Sequence, residues 1–484
     1  MNGPRSCDAI VVGGGISGLV AAAYLAKARK SVMLFEARDQ MGGLCATPNS
    51  MEGFSGSRAI TMLYALDPLV VRDLGLSRRG LRFAGRELSL TGLRSDGRHI
   101  VISRNMHDTA ATIAVHSRSD SEAWPRFRKE LFDLGRQMRP LWWEAHSALP
   151  SGPAGQKIQH IARMGSAAWL DSWFESEALK ATLCFDSIDA GLSSLEPGSA
   201  LSLIWRAAQE MSGLQGAVLM PAGGIETLAD GLVSILRDAE CEMRTGSRVD
   251  RLIFDENRVV GVQLRSGETC FAPFVFCAAK SLGADSALPP GTFGFADASN
   301  RRSMPRTAEA VVSLILCNPP PIANALPVGR FVVAERLESY VSAEMHARAG
   351  DIGDELPLEF VIPTLSDASL APPGQHILSV RVRPVPQNPT HGWPALQSPL
   401  AAQTLASLER LMPGLSRDVS RVEMLSPDDI GAEKSTTVSH MLMTGARRVS
   451  SPIGGLFFCG ADAEPIPAIS GRAARIAVAS AVNT

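Results

Sequence analysis

The chain has 484 residues, about three times a typical domain, which predicts two or more structural units. With 45% hydrophobic and 20% charged residues it reads as a globular protein with a sizeable core, and a net charge of −2 argues against nucleic acid or an anionic membrane as an electrostatic partner. The eight cysteines form no CxxC or CxxxxC spacing, which argues against zinc, iron–sulfur or dithiol chemistry and suits a reducing cytoplasm. No apolar run of about 18 residues predicts a transmembrane helix.

Residues 9–12 are a short apolar run, read as a buried parallel strand. Residues 13–18, Gly-Gly-Gly-Ile-Ser-Gly, match GxGxxG, and residues 19–28 are alanine-rich and helix-forming. Residues 31–35 predict a second strand that ends at Glu36. This strand–turn–helix–strand context is the one a dinucleotide-binding loop requires. Gly13 allows the tight turn, Gly15 lets the backbone approach a pyrophosphate, and Gly18 lets the helix pack on the strand. Ile16 and Ser17 complete the loop before the helix, whose unpaired N-terminal amides and positive dipole end face the phosphates. Glu36 is placed to accept from the adenosine ribose hydroxyls, and its charge would repel a 2′-phosphate.

The stretch Glu36-Ala37-Arg38-Asp39-Gln40-Met41-Gly42-Gly43 resembles the EARDRVGG signature of the flavin amine oxidase and phytoene desaturase superfamily. The resemblance implies FAD, held non-covalently, since no His or Cys stands in a linkage context. It implies that Arg38 contacts the dinucleotide and that Gly42 and Gly43 pass close to the pyrophosphate and ribityl chain. Leu44 stands where relatives often carry an arginine. The backbone at Val249 is implied to contact the adenine.

In the middle of the chain, residues 120–149 carry Trp124, Phe127, Leu131, Leu134, Met138, Leu141 and Trp142 at helical spacing. One reading is a core-facing helix. The other is a peripheral membrane contact giving access to a lipophilic substrate. A helix is expected to start within residues 221–228, and strands are expected over 251–254, 259–264 and 270–278. No second GxGxxG follows a strand, so electrons are expected to leave to oxygen, to a quinone or back into the product.

Residues 455–462 read as a buried strand and glycine turn, followed by a helix from about 471. The resemblance places Gly460, Asp462, Pro467, Ala468 and Ile469 beside the flavin ring. Relatives have glycines where this chain has Pro465 and Pro467, which removes two backbone donors. The helix opening near Gly471 is therefore expected to supply the positive field at the flavin edge. His440 is the candidate acid/base, from its position shortly before this segment.

Together these readings predict an α/β protein: a Rossmann-like FAD-binding domain with a discontinuous α+β substrate domain. Residues 1–75, 215–290 and 440–484 are assigned to the first and 76–214 and 291–439 to the second. The expected activity is a dehydrogenase, desaturase or isomerase taking a hydride from a largely apolar small molecule. The alternatives are a flavin amine oxidase and an FAD-binding scaffold without turnover. Only Tyr24, Tyr64 and Tyr340 are tyrosines, and no lysine lies between Lys280 and Lys434, which weighs against the amine oxidase. Neither a metal nor a nucleic acid is expected as a partner.

Overall fold

The computed structural model describes residues 5–47, 53–85, 87–144, 149–188, 191–279, 307–430, 449, 451–460, 463–464 and 468–482. Its N-terminal sheet has five strands in the order Glu242–Arg244, Val32–Phe35, Ala9–Val12, Phe274–Cys277 and Leu456–Phe458, all parallel. Parallel strands are joined by crossovers that cover both sheet faces, so the central strands are apolar throughout. Ala9–Val12 and Val32–Phe35 are buried at every position.

Helix Ile16–Lys27 packs between the helices Glu226–Asp238 and Arg472–Val482, and its alanines allow that close approach. It begins at Ile16, three residues before the expected start, so the last three residues of the glycine motif are already helical.

A second sheet, in the order Arg5–Ser6, Thr269–Phe271, Arg258–Leu264 and Val249–Asp255, lies against the first. The single strand expected over 270–278 is two. Thr269–Phe271 belongs to this sheet, while Phe274–Cys277 belongs to the parallel one. Pro273 lies between them and has no amide to continue a ladder, so the chain changes sheets there.

The remaining chain builds a seven-stranded mixed sheet in the order Val419–Leu425, Thr307–Leu316, His376–Pro386, Leu358–Val361, Gly329–Val333, Ser89–Leu93 and Ile100–Ile102. Every pairing is antiparallel except Gly329–Val333 with Ser89–Leu93. A helical layer covers this sheet.

Helix Arg118–Trp143 is capped by the Ser117 hydroxyl, which accepts from the Asp120 amide. Its apolar face, with Trp124, Phe127, Leu134, Met138, Leu141 and Trp142, is buried in an aromatic core with Trp169, Phe174 and Trp205. Arg118, Glu122, Arg126, Lys129 and Arg136 are among the residues it shows to solvent, with Ser119, Pro125, Gln137 and Pro140. The membrane-contact reading of this helix is therefore corrected: its apolar surface is consumed inside the protein. No described helix is long and apolar enough to cross a membrane.

Candidate cofactor and active site

The first strand ends at Val12, and Gly13 turns the chain with φ +103, a conformation that favours glycine. Gly15 precedes the helix in extended conformation (φ −71, ψ 174), and no side chain caps the helix there. The first amides of Ile16–Lys27 thus face outward without a side-chain acceptor, the arrangement that binds an anion. A Cβ on Gly18 would fall 1.8 Å from the Gly13 carbonyl oxygen, so this glycine fixes the helix against the turn. A Cβ on Gly15 would meet nothing closer than the Gly43 Cα at 4.0 Å.

The glycine doublet lies directly on this loop. The Gly42 amide donates to the Gly14 carbonyl at 2.8 Å, and Gly15 and Gly42 form a parallel bridge. Gly42 and Gly43 have φ of +110 and +60, and a Cβ on Gly43 would lie 3.0 Å from the Gly15 Cα. Two stretches of bare backbone therefore enclose a cradle that side chains would fill, which fits a pyrophosphate.

Glu36 is buried, and its carboxylate does more than await a ribose. Oε2 accepts from the Gly14 amide at 2.6 Å and Oε1 from the Arg38 amide at 2.9 Å. Glu36 thus braces the phosphate loop, with further lone pairs on each oxygen available to hydroxyls. Its carbonyl accepts from the Ser247 amide, which brings the strand beginning at Val249 to the same end of the sheet. Val249 is buried, Ala37 is exposed, and Arg38 donates to the Gly43 carbonyl at 3.3 Å. Leu44 sits in the turn Gly43–Cys45 and its carbonyl accepts from the Ser57 hydroxyl.

At the far end, Gly460 is buried after strand Leu456–Phe458. Ala468 packs on the helical aromatic core and Ile469 on the core of the parallel sheet, so this segment spans the junction between the two. His440, Asp462 and Pro467 lie outside the described residues.

The opening of helix Arg472–Val482 differs from expectation. The Arg472 amide donates to the Ser470 hydroxyl at 2.9 Å and the Ala473 amide to Glu464 Oε1 at 2.9 Å. The expectation that this helix offers free amides and an unopposed dipole is corrected, because a buried carboxylate already occupies its start. Arg472 itself is fully buried, stacked 4.7 Å from the Trp143 ring centroid, with Arg139 4.8 Å from the same centroid. Asp67, which accepts from Arg475 at 3.0 Å, completes this cluster at the junction of the two halves.

Sequence reasoning missed a second buried charge cluster. Arg330 donates to Glu359 at 2.6 Å and also pairs with Asp186. Burial pushes the Asp186 carboxyl up, but Arg330 overrides it and holds the group well below the ordinary carboxylate range. Arg206, in helix Ser199–Ala208, lies over the Tyr64 ring at 4.3 Å. A charge inside an otherwise apolar, wholly buried helix was the signal available in the sequence.

The parallel sheet, the bare-backbone cradle and the bracing acid define a dinucleotide-binding oxidoreductase fold. The family described as flavin containing amine oxidoreductase matches residues 16–464, and the chain belongs to it: it is a flavin-dependent oxidoreductase. Pyridine nucleotide-disulfide oxidoreductase domain-containing protein 2 of Rattus norvegicus is 28% identical, over 97% of this chain and 92% of its own length. A zeta-carotene-forming phytoene desaturase of Myxococcus xanthus is 26% identical, over 94% of this chain and 90% of its own. The solved structure of an oxidoreductase from Methanosarcina mazei shares the fold, with a TM-score of 0.68 at 19% identity, covering 99% of this chain and 100% of that one.

Proposed function

We propose that this enzyme holds one FAD non-covalently and acts as a dehydrogenase, desaturase or isomerase on a largely apolar small molecule. The observation that carries the reading is the cradle at Gly15, lined by backbone from two glycine loops beside an uncapped helix start. Gly13, Gly15, Ile16, Ser17 and Gly18 would hold the pyrophosphate from one side and Gly42 and Gly43 from the other. Glu36 and the backbone at Val249 would hold the adenosine. Ala468 and Ile469, at the junction of the two cores, would flank the ring. When bound, the flavin supplies hydride acceptance from a C–H bond. The chain's part is to orient the substrate and exclude water, which the apolar residues of the helical core around Ala468 favour.

The carotenoid desaturase among the relatives supports a lipophilic substrate, and oxygen or a quinone is the proposed electron acceptor. The amine oxidase alternative rests on the family's name. Against it, one face of Tyr64, an aromatic ring that could hold an alkylammonium, is covered by a guanidinium. We assign residues 1–75, 215–290 and 440–484 to the FAD-binding unit and the rest to the substrate unit.

The test is extraction of the yellow protein. Denaturation should release FAD, and mass spectrometry should find an apolar small molecule bound. FMN, NAD or a covalent flavin in the extract would refute the reading. Anaerobic photoreduction, followed by oxygen or a quinone, identifies the acceptor.

A further inference from the structure

The second arm of the cradle, which begins at Gly42-Gly43, is backed by two further segments of chain. The Leu44 carbonyl accepts from the Ser57 hydroxyl, and the Thr47 hydroxyl accepts from the Gly56 amide at 3.2 Å, so residues 53–57 lie along the arm. Against them lies a turn from the seven-stranded sheet. The Ser55 amide donates to the Leu370 carbonyl at 3.0 Å, and a Cβ on Gly53 would fall 3.1 Å from the Pro372 ring. Arg58, just beyond, pairs with Glu423 of the same sheet at 2.6 Å, which fixes the far end of this segment.

The turn itself, residues 363–372, joins strands Leu358–Val361 and His376–Pro386. Pro363 and Pro372 stiffen its two ends, and the Thr364 hydroxyl accepts from the Ile377 amide at its base. Ala368 and Ser369 at its tip are exposed. Among the described residues one hydrogen bond ties this tip down: Asp367 Oδ2 accepts from the Gly223 amide at 2.6 Å, while Oδ1 accepts from Ser369 within the turn. Burial raises the Asp367 carboxyl, but the Gly223 and Ser369 donors outweigh it and hold the group below the ordinary carboxylate range, so the bond is charge-assisted. Gly223 stands just before helix Glu226–Asp238. The strand that follows this helix, Glu242–Arg244, runs parallel to Val32–Phe35, so the helix starts at the carboxyl edge of the sheet, where the cradle lies. Three residues after Gly223, Glu226 Oε1 accepts from the Thr47 hydroxyl at 2.9 Å. One turn thus holds the arm through Glu226 and the tip through Gly223.

We propose that residues 363–372 are a strap that keeps the second arm down on the pyrophosphate, and that the bond between Asp367 and Gly223 is its latch. This rests on the reading of the cradle as an FAD site. A cofactor held without a covalent bond enters and leaves only when the backbone around it parts, and the fraction of time spent open sets both rates. The latch joins two protein groups and does not touch the cofactor. It therefore slows uptake and release alike and leaves the affinity unchanged.

Release of FAD from the holoprotein is followed by the rise of flavin fluorescence on dilution, and uptake by the change of fluorescence when FAD is mixed with stripped protein. Asp367→Ala should speed both about tenfold or more, the range of one charge-assisted hydrogen bond, while Kd stays within about twofold. Asp367→Asn keeps the shape and an oxygen but not the charge. It should show a smaller acceleration, and it stands in for a variant that does not fold. Ser369→Ala leaves the Gly223 bond intact and should exchange FAD like the wild type. A rise in Kd with uptake unchanged overturns the inference, since Asp367 would then support the site rather than gate it. So does a Ser369→Ala protein that exchanges FAD as fast as Asp367→Ala. Wild-type protein that carries no FAD sinks the reading of the cradle and the strap with it, whereas FAD-bearing protein with unchanged rates in both Asp367 variants sinks the strap alone.

Discussion

Two glycines of one loop should fail in different ways. Gly15→Ala places a methyl where the nearest protein atom is 4.0 Å away, at φ −71, which alanine adopts freely. The apoprotein should therefore keep its stability to within about 1 kcal/mol, the sum of a small cap penalty and a small gain in chain stiffness. The methyl instead fills the cradle. If it costs two charge-assisted backbone bonds to the pyrophosphate, at about 1.5–3 kcal/mol each, FAD affinity falls by about a hundredfold or more. Gly18→Ala puts its methyl 1.8 Å from the Gly13 carbonyl, so the backbone must move and the apoprotein should lose about 1–3 kcal/mol. The assays are FAD titration of stripped protein by fluorescence and thermal unfolding of the same samples. A Gly15→Ala protein that takes up FAD with wild-type affinity would refute the assignment of this loop to the pyrophosphate.

Glu36→Ala leaves the Gly14 and Arg38 amides without their acceptor, so both apoprotein stability and FAD affinity should fall, by about 1.5–3 kcal/mol per lost bond. A loss confined to FAD affinity would show that the brace is dispensable. Arg330→Met removes the cation shared by Asp186 and Glu359, leaving Asp186 only the weaker attraction of Arg206 and Arg383, and should destabilise the fold by about 3–5 kcal/mol near neutral pH. In the wild type the Asp186 carboxyl is depressed, so its contribution is complete above the unfolded value of about 4 and is lost as pH falls further. In the variant the Asp186 carboxyl loses its main counter-charge and rises, and the deficit should shrink as pH drops from about 7 to 5. Thermal unfolding at several pH values checks this, and a deficit that ignores pH contradicts it.

The glycine turn after the first parallel strand was legible because Gly13 answers a turn and Gly18 a backbone clash, and spacing encodes both. The Glu36 brace was not, since it depends on how the loop folds back over the second strand. Pro273 was in plain view, yet the periodicity of 270–278 hid the change of sheet it causes. The charge clusters were the hardest to see. Asp186, Arg206, Arg330 and Glu359 come from four separated elements, and only the fold brings them together. Arg330 in Gly329–Val333 and Glu359 in Leu358–Val361 were nonetheless readable as single charges inside apolar strands.

The C-terminal helix poses the remaining electrostatic question. Its dipole was expected to favour negative charge on the flavin, but Glu464 accepts from the Ala473 amide and from the Ser470 hydroxyl. A buried carboxylate at a helix start offsets the positive end that would otherwise act on the ring. Arg472 works in the opposite sense, yet it is held near both Asp67 and Glu464, at 3.7 and 4.0 Å, and its charge is largely balanced there. The net field at this junction is therefore close to neutral, and a flavin ring held there as proposed would gain little help in taking up negative charge. Glu464→Gln keeps an acceptor for both hydrogen bonds and removes only the charge. The potential should rise by about 10–40 mV, the helix-end interaction of about 0.5–2 kcal/mol converted for a two-electron couple. A dye-equilibrated reductive titration of both proteins measures it. An unchanged or lowered potential would mean that this helix start does not face the flavin, and the placement of Ala468 and Ile469 beside the ring would then have to be withdrawn.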